Sequence, residues 1–220
     1  MTAATGLAAD AEAARICRAG FANRLAAAIL APAGRLAEAA REPGSDVVRL
    51  AERFGLRPIR IMARLAALGG EGRRLPAAFM VVLDASGGVL FRILGAGFPF
   101  PRFGPFCARL PLFDALPAGR PLTSELVFSD NSAFTTVALA EEGKYSPDLP
   151  PPRRLALLGW RREEAGGITR ALPGAPVRPI GVTCRLCERA DCAHRLYPTV
   201  TRPAAFQEHS VGPSDYELLS

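Results

Sequence analysis

A chain of 220 residues with 49% hydrophobic and 22% charged side chains carries enough apolar material to bury a core, as one large domain or two small ones, which excludes a disordered chain. Its net charge of +6 rests almost wholly on arginine, Lys144 being the only lysine. A planar guanidinium suits a phosphorylated small molecule as well as nucleic acid, so charge alone selects neither.

The first seventy residues read as helical. Residues 13–30 place Ile16, Cys17, Ala19, Gly20, Leu25 and Ile29 at helical spacing, and Pro32 stops the run. A short helix over 35–41 ends at Pro43-Gly44. Ser45 or Asp46 then caps a third over 47–54, which Gly55 closes, and Pro58 opens a fourth over 59–68, closed by Gly69-Gly70. The last two, within 46–68, have the rhythm of a helix-turn-helix, with Arg57, Arg60 and Arg64 near one side of the second helix. Those arginines read either as a DNA-facing row or as the solvated side of a packed pair. No Asn or Gln is present there for base-edge contacts.

From Pro76 the apolar period changes from 3.6 to 2. Strands are expected over 77–83 and 89–94 across Asp84-Ala-Ser-Gly-Gly88, then over 122–128 and 134–140 across Ser129-Asp-Asn-Ser132, with a fifth over 154–160. Residues 147–152 form a Pro-rich loop. Residues 161–179 are a Gly/Pro/Arg-rich approach to a cysteine cluster, and the polar tail after Pro203 reads as loose. Helices followed by strands, rather than alternating with them, predict an α+β fold: a helical N-terminal segment, then a mainly antiparallel sheet domain closed by a cysteine-rich metal loop. The expected organisation is 1–72 helical, 73–203 ligand-sensing sheet domain with the cysteine cluster, and 204–220 tail. Phe91, Phe98, Phe100, Phe103 and Phe106 are either core or one wall of a pocket.

Cys184, Cys187 and Cys192 form a C-x2-C-x4-C cluster flanked by Arg185, Glu188, Arg189 and Asp191. A C-x2-C pair brings two thiolates to one metal from a single turn, and a third nearby cysteine can close the face. A redox disulfide or incidental thiols are the plainer readings, but so polar a stretch is unlike an apolar core. The odd total of five cysteines argues against a disulfide framework. Tetrahedral zinc or an iron–sulfur cluster needs a fourth ligand. Cys107 is the first candidate, Cys17 the weaker one, and His194 would complete a Cys3His zinc site.

Residues 1–14 carry Asp10 and Glu12 and no basic leader, and no apolar run reaches the roughly eighteen residues of a membrane span. A cytoplasmic protein without a membrane partner is expected.

Taken together, these segments resemble the C-terminal half of the short-chain fatty acyl transcriptional regulators. The resemblance is carried by the helix from Phe21 to Pro32, by Leu50-Ala-Glu-Arg-Phe-Gly-Leu56, by Met62 to Leu68, by Phe98 to Cys107, and most specifically by Pro179 to Cys192 with Pro198. It covers roughly residues 15–203. Full-length members carry an N-terminal helix-turn-helix, an ImmA/IrrE-type segment and a ligand-sensing C-terminal domain. On this resemblance residues 1–72 correspond to the end of the ImmA/IrrE-type segment, and the N-terminal DNA-binding unit is expected to be absent. The resemblance implies a sensor of short-chain acyl-CoA that regulates carboxylate metabolism. It also implies a metal or [4Fe–4S] site at the matching cysteines, Cys107, Cys184, Cys187 and Cys192. Where the family often has Gly-Cys late in the sheet, this chain reads Gly159-Trp160, which leaves Cys107 as the sheet-region thiol that completes the set.

The expected function is thus a non-enzymatic sensor with a four-cysteine cluster, with Zn2+ as the alternative metal. A homo-oligomer is compatible with the sequence, and DNA binding should be weak or supplied by a partner. The competing reading is a structural zinc module for protein contacts with no small-molecule ligand. Enzymatic readings lack their parts: there is no HExxH, Walker loop, post-strand GxGxxG or Ser/His/Asp order, and the histidines are only His194 and His209. Arg153, Arg154, Arg161 and Arg162 are candidate phosphate partners on composition alone.

Overall fold

Pro32, Gly55 and Pro58 divide the N-terminal apolar stretches into separate helices, as their backbone chemistry requires. The computed structural model describes residues 10–70, 75–143, 147–148, 150–165, 175–190, 192–201, 203–205 and 217–218. Helices α1 (Ala11–Leu30), α2 (Ala33–Arg41), α3 (Val47–Phe54) and α4 (Pro58–Leu68) precede β1 (Ala78–Asp84) and β2 (Val89–Ile93). A single turn, α5 (Ala115–Ala118), leads into β3 (Leu122–Val127), β4 (Ala133–Glu142), β5 (Arg153–Arg161) and β6 (Val177–Pro179).

The six strands form one sheet in the order β2-β1-β5-β4-β3-β6. Every pairing is antiparallel except β3 with β6, which is parallel. The fold is therefore α+β with a mixed, mostly antiparallel sheet. Strands β1, β4 and β5 are apolar on successive residues and buried on both faces, as strands covered on both sides must be. On one face Met80, Val82, Val137, Leu139, Ala156, Leu158 and Trp160 join a core with α2, α3 and α4. On the other, Phe79, Val81, Leu83, Phe134, Leu155 and Leu157 join a second core closed by Phe98, Leu110, Leu112, Phe128 and Ile180 from the connecting loops. Cys107 and Val182 pack at the margin of this second core. The sheet is thus a common wall between a helical layer and the loop layer that holds the cysteine segment.

The Phe-rich stretch divides. Phe98 stacks on Phe79 with centroids 3.8 Å apart, and Phe100, Phe128 and Phe134 meet this pair edge-on. Phe106 reaches Phe100 in the same manner, whereas Phe91 and Phe103 are exposed. The stack depends on Gly159, which lies directly across from Phe79 in the ladder. A Cβ on Gly159 would come within 2.5 Å of the Phe79 ring.

The helix-turn-helix rhythm is real, but its second helix is not a reading head. Ile59, Ile61, Met62, Leu65 and Ala66 of α4 are buried against the sheet and its neighbouring helices. The Arg57 guanidinium sits 2.6 Å from Glu141 at the end of β4 and also donates to the Glu142 carbonyl. The other oxygen of Glu141 accepts the Ile59 amide at 3.1 Å, capping α4 from a distant strand. Arg64 donates to the Ala31 carbonyl at 3.1 Å. Arg57 and Arg64 thus tie α4 to β4 and to the end of α1.

Of the two candidate caps for α3, Asp46 is used, its Oδ1 accepting the Val48 and Arg49 amides at 2.8 Å. Asp46→Ala should lower unfolding free energy by about 1 kcal/mol in urea titration, the usual value of such a cap, with an unchanged denaturant slope.

Three local features differ from expectation. Strand β6 lies inside what reads as an irregular approach. It is three residues long, contains Pro179, and pairs through Glu125↔Val177 to Val127↔Pro179. In the tail, Ala204–Ala205 pairs with Glu217–Leu218 as β7 and β8, two residues each; such short ladders leave no periodic signal, and residues 206–216 lie outside the described ones. Helix α1 forms as expected, but its apolar residues do not enter a core. Ile16, Phe21, Leu25, Ile29 and Leu30 are 51–68% exposed, and Ala27 is its one fully buried residue among the described ones.

Candidate metal centre

Two segments far apart in sequence build the site. The first follows the Phe stack: Phe106 and Cys107 are held at the edge of the second core, and a turn closes from the Leu110 amide to the Cys107 carbonyl at 3.1 Å. The second is anchored by β6. The Ile180 amide donates to the Val127 carbonyl at 2.9 Å, and Thr183 then opens a 3-10 turn over Cys184–Leu186. The Cys187 amide closes that turn on the Cys184 carbonyl at 3.2 Å, the tight geometry that a C-x2-C pair requires. Gly181 has no alternative here, because a Cβ would lie 2.8 Å from the Cys187 sulfur.

Cys107, Cys184, Cys187 and Cys192 all line one narrow cleft. Arg109, Arg189, Arg195, Thr183, Gly181 and His194 complete its wall. Cys17 does not line it and lies on α1. All five cysteines are free thiols, so no disulfide is present. Trp160 points to the helical face of the sheet, so a side chain at that position has no access to the cleft.

The four cysteines line one cleft. Among the described residues no three His, Cys, Asp or Glu side chains are close enough together to hold one ion. Cys107 lies near enough to Cys184 and Cys187 for their charges to act on its thiol. Burial pushes the Cys107 thiol up; amides of Gly181 and Arg109 oppose this in part, and the nearby Cys184 and Cys187 add to the rise.

The cleft is basic. Arg189 donates to the Ile180 and Val127 carbonyls at 3.3–3.4 Å, bridging the cysteine loop to β3. Arg195 is 6% exposed. It donates to the Cys184 carbonyl at 3.5 Å and to the Arg189 carbonyl, and its Nε is buried without a partner. The Thr183 hydroxyl, also on the wall, is likewise buried and unpartnered. Sequence reasoning passed over Arg195, since an arginine in a polar stretch reads as solvated. Of the candidate phosphate partners, Arg153 pairs with Glu142 at 3.1 Å, Arg161 with Glu163 at 3.9 Å and Arg162 with Glu125 at 3.5 Å.

A helix-backed, mostly antiparallel sheet that carries a cysteine-lined cleft on its loop layer defines an α+β domain. The chain belongs to the short-chain fatty acyl coenzyme A regulators, whose C-terminal domain matches residues 69–216. It is 30% identical over 218 residues to the propionyl-CoA carboxylase regulator of Cereibacter sphaeroides, covering 95% of this chain and 46% of that protein. It is 27% identical over 216 residues to the HTH-type transcriptional regulator RamB of Mycobacterium tuberculosis, covering 94% and 46%. It is also 27% identical over 207 residues to PrpR of the same organism, covering 90% and 42%. The chain thus spans about half the length of these curated relatives. A solved structure described as a Mycobacterium tuberculosis transcriptional regulator superposes with a TM-score of 0.79 at 26% identity, over 97% of this chain and 68% of that one. The family and these relatives are transcriptional regulators and not enzymes. No helix among the described residues is long and apolar enough to cross a membrane.

Proposed function

We propose that this chain is the sensory part of a short-chain acyl-CoA-responsive transcriptional regulator and holds a [4Fe–4S] cluster on Cys107, Cys184, Cys187 and Cys192. The observation that carries the cluster is the gathering of four cysteines, from segments far apart in sequence, around one cleft. A polynuclear group bonds each thiolate at its own corner, whereas a single zinc needs all four at about 2.3 Å from one centre. The soft all-sulfur donor set fits. When bound, such a cluster supplies a redox- and oxygen-responsive tie between the loop layer and the C-terminal segment. The chain's own residues supply the rest: β6 fixes the C-x2-C turn, Gly181 admits Cys187, and Arg189 fastens the loop to β3.

The acyl-CoA part of the reading is supported by family membership and by the relative named for regulating propionyl-CoA carboxylase. With α4 packed into the core, DNA contact falls to a segment outside this helix or to a partner chain.

Anaerobic purification should yield a brown protein that bleaches in air, with iron and sulfide present; a colourless, zinc-containing protein would favour the structural zinc module instead. Acetyl-, propionyl- and butyryl-CoA should each raise the melting temperature, because a ligand that binds only the folded state stabilises it by mass action. At about 0.8 kcal/mol per buried CH2, calorimetry should find roughly fourfold discrimination per carbon at best. Absence of binding by all three at millimolar concentration, with the cluster intact, would remove the acyl-CoA assignment.

A further inference from the structure

We propose that Arg195 is the built-in counter-charge of the group held by the four cysteines, and that it sets how readily that group accepts an electron. The inference rests on the cluster reading given above. A guanidinium keeps its charge wherever it sits, and a buried charge is ordinarily paired, as the desolvation cost demands. More exposed arginines of this chain hold carboxylates: Arg57 has Glu141, Arg178 has Asp114 and Arg162 has Glu125. Arg195 differs from these. It is 6% exposed, no carboxylate pairs with it among the described residues, and only the carbonyls of Cys184 and Arg189 receive its protons. Its Nε is buried and unbonded on the wall of the cleft that the four sulfurs line.

Four thiolates around an iron–sulfur core are net negative in either oxidation state and more negative when reduced. The attraction is therefore strongest in the reduced form, and Arg195 raises the reduction potential. The same argument makes Arg195 a burden to the empty chain and a support to the loaded one.

The test compares wild type with Arg195→Gln and Arg195→Lys, each reconstituted anaerobically with iron and sulfide and titrated with dithionite, which supplies the single electron. Arg195→Gln should keep the cluster absorption and lower the reduced-to-oxidised ratio about tenfold at a fixed potential, a downward shift of about 59 mV for a one-electron couple. Arg195→Lys should stay close to wild type. Thermal melts provide the second readout: Arg195→Gln should lower the melting temperature of the loaded protein while leaving that of the metal-free protein unchanged or higher. A loaded Arg195→Gln with wild-type potential would overturn the proposal while leaving the cluster assignment standing. So would a Lys variant that behaves like Gln, or equal destabilisation of the loaded and empty forms, since either would make Arg195 a purely structural donor to the two carbonyls. Failure of Arg195→Gln to load while Arg195→Lys loads normally would uphold a charge requirement. A wild-type chain that takes up no cluster overturns the cluster reading and this proposal together.

Discussion

Cys187→Ser is expected to abolish cluster binding, leaving less than about a tenth of the wild-type visible absorbance after anaerobic reconstitution. Serine oxygen is a hard donor that replaces a soft thiolate poorly, and Cys187 is the residue for which Gly181 gives up its side chain. The loss should extend to compactness. Between Ile180 and Thr199 the segment has one 3-10 turn and a few carbonyl contacts from Arg189, Arg195 and Thr199 as its own support. Metal ligation contributes on the order of 10 kcal/mol in small structural sites, so its removal should expose this segment to limited proteolysis while the sheet stays folded. Cys17→Ser is the control: Cys17 lies on α1 away from the cleft, and colour and digestion pattern should match wild type. A brown Cys187→Ser protein would remove Cys187 from the ligand set.

Phe79→Ala should cost about 3–5 kcal/mol in equilibrium unfolding, the usual range for an aromatic core truncation and a large part of the 5–15 kcal/mol a domain has available. Phe79 is fully buried, stacks on Phe98 and meets Phe100 and Phe134 edge-on. Removing its ring leaves a void that the backbone of Gly159 cannot fill. Gly159→Ala tests the same contact from the other side: its new methyl enters the Phe79 ring, and overpacking of this kind costs roughly 1–3 kcal/mol. The two substitutions share one contact, so the double variant should be less destabilised than the sum of the singles. Additive losses would show that Gly159 and Phe79 do not compete for the same space.

Much of this architecture was legible because its signals are local. Proline and glycine punctuate the helices, and the strands β1, β4 and β5 fall where the sequence predicts them, although they are buried on successive residues and not on alternate ones. The C-x2-C-x4-C spacing marks the cysteine loop in the sequence, and Cys107, from a distant segment, lines the same cleft. What escaped depends on partners remote in sequence. Arg57 reads as a solvated or DNA-facing cation until Glu141 arrives from β4. Strand β6 is too short, and too rich in proline, to carry a period. Arg195 looks like any surface arginine because nothing in its neighbourhood encodes burial. Helix α1 shows the opposite failure: its apolar spacing is that of a packed helix, yet five of its large side chains face outward.

The parallel pairing of β6 with β3 also fixes when the cysteine cleft can exist. Cys184, Cys187 and Cys192 reach Cys107 only after β6 has docked on β3, and β3 must first lie beside β4 and β5. A parallel, sequence-distant pairing is the slowest kind to form, because loop closure precedes any reward from contact. During synthesis, then, the C-x2-C turn emerges while the rest of its wall is already folded and waiting. The cleft therefore depends on a long-range pairing at one edge of the sheet, so its integrity reports on whether β6 is docked.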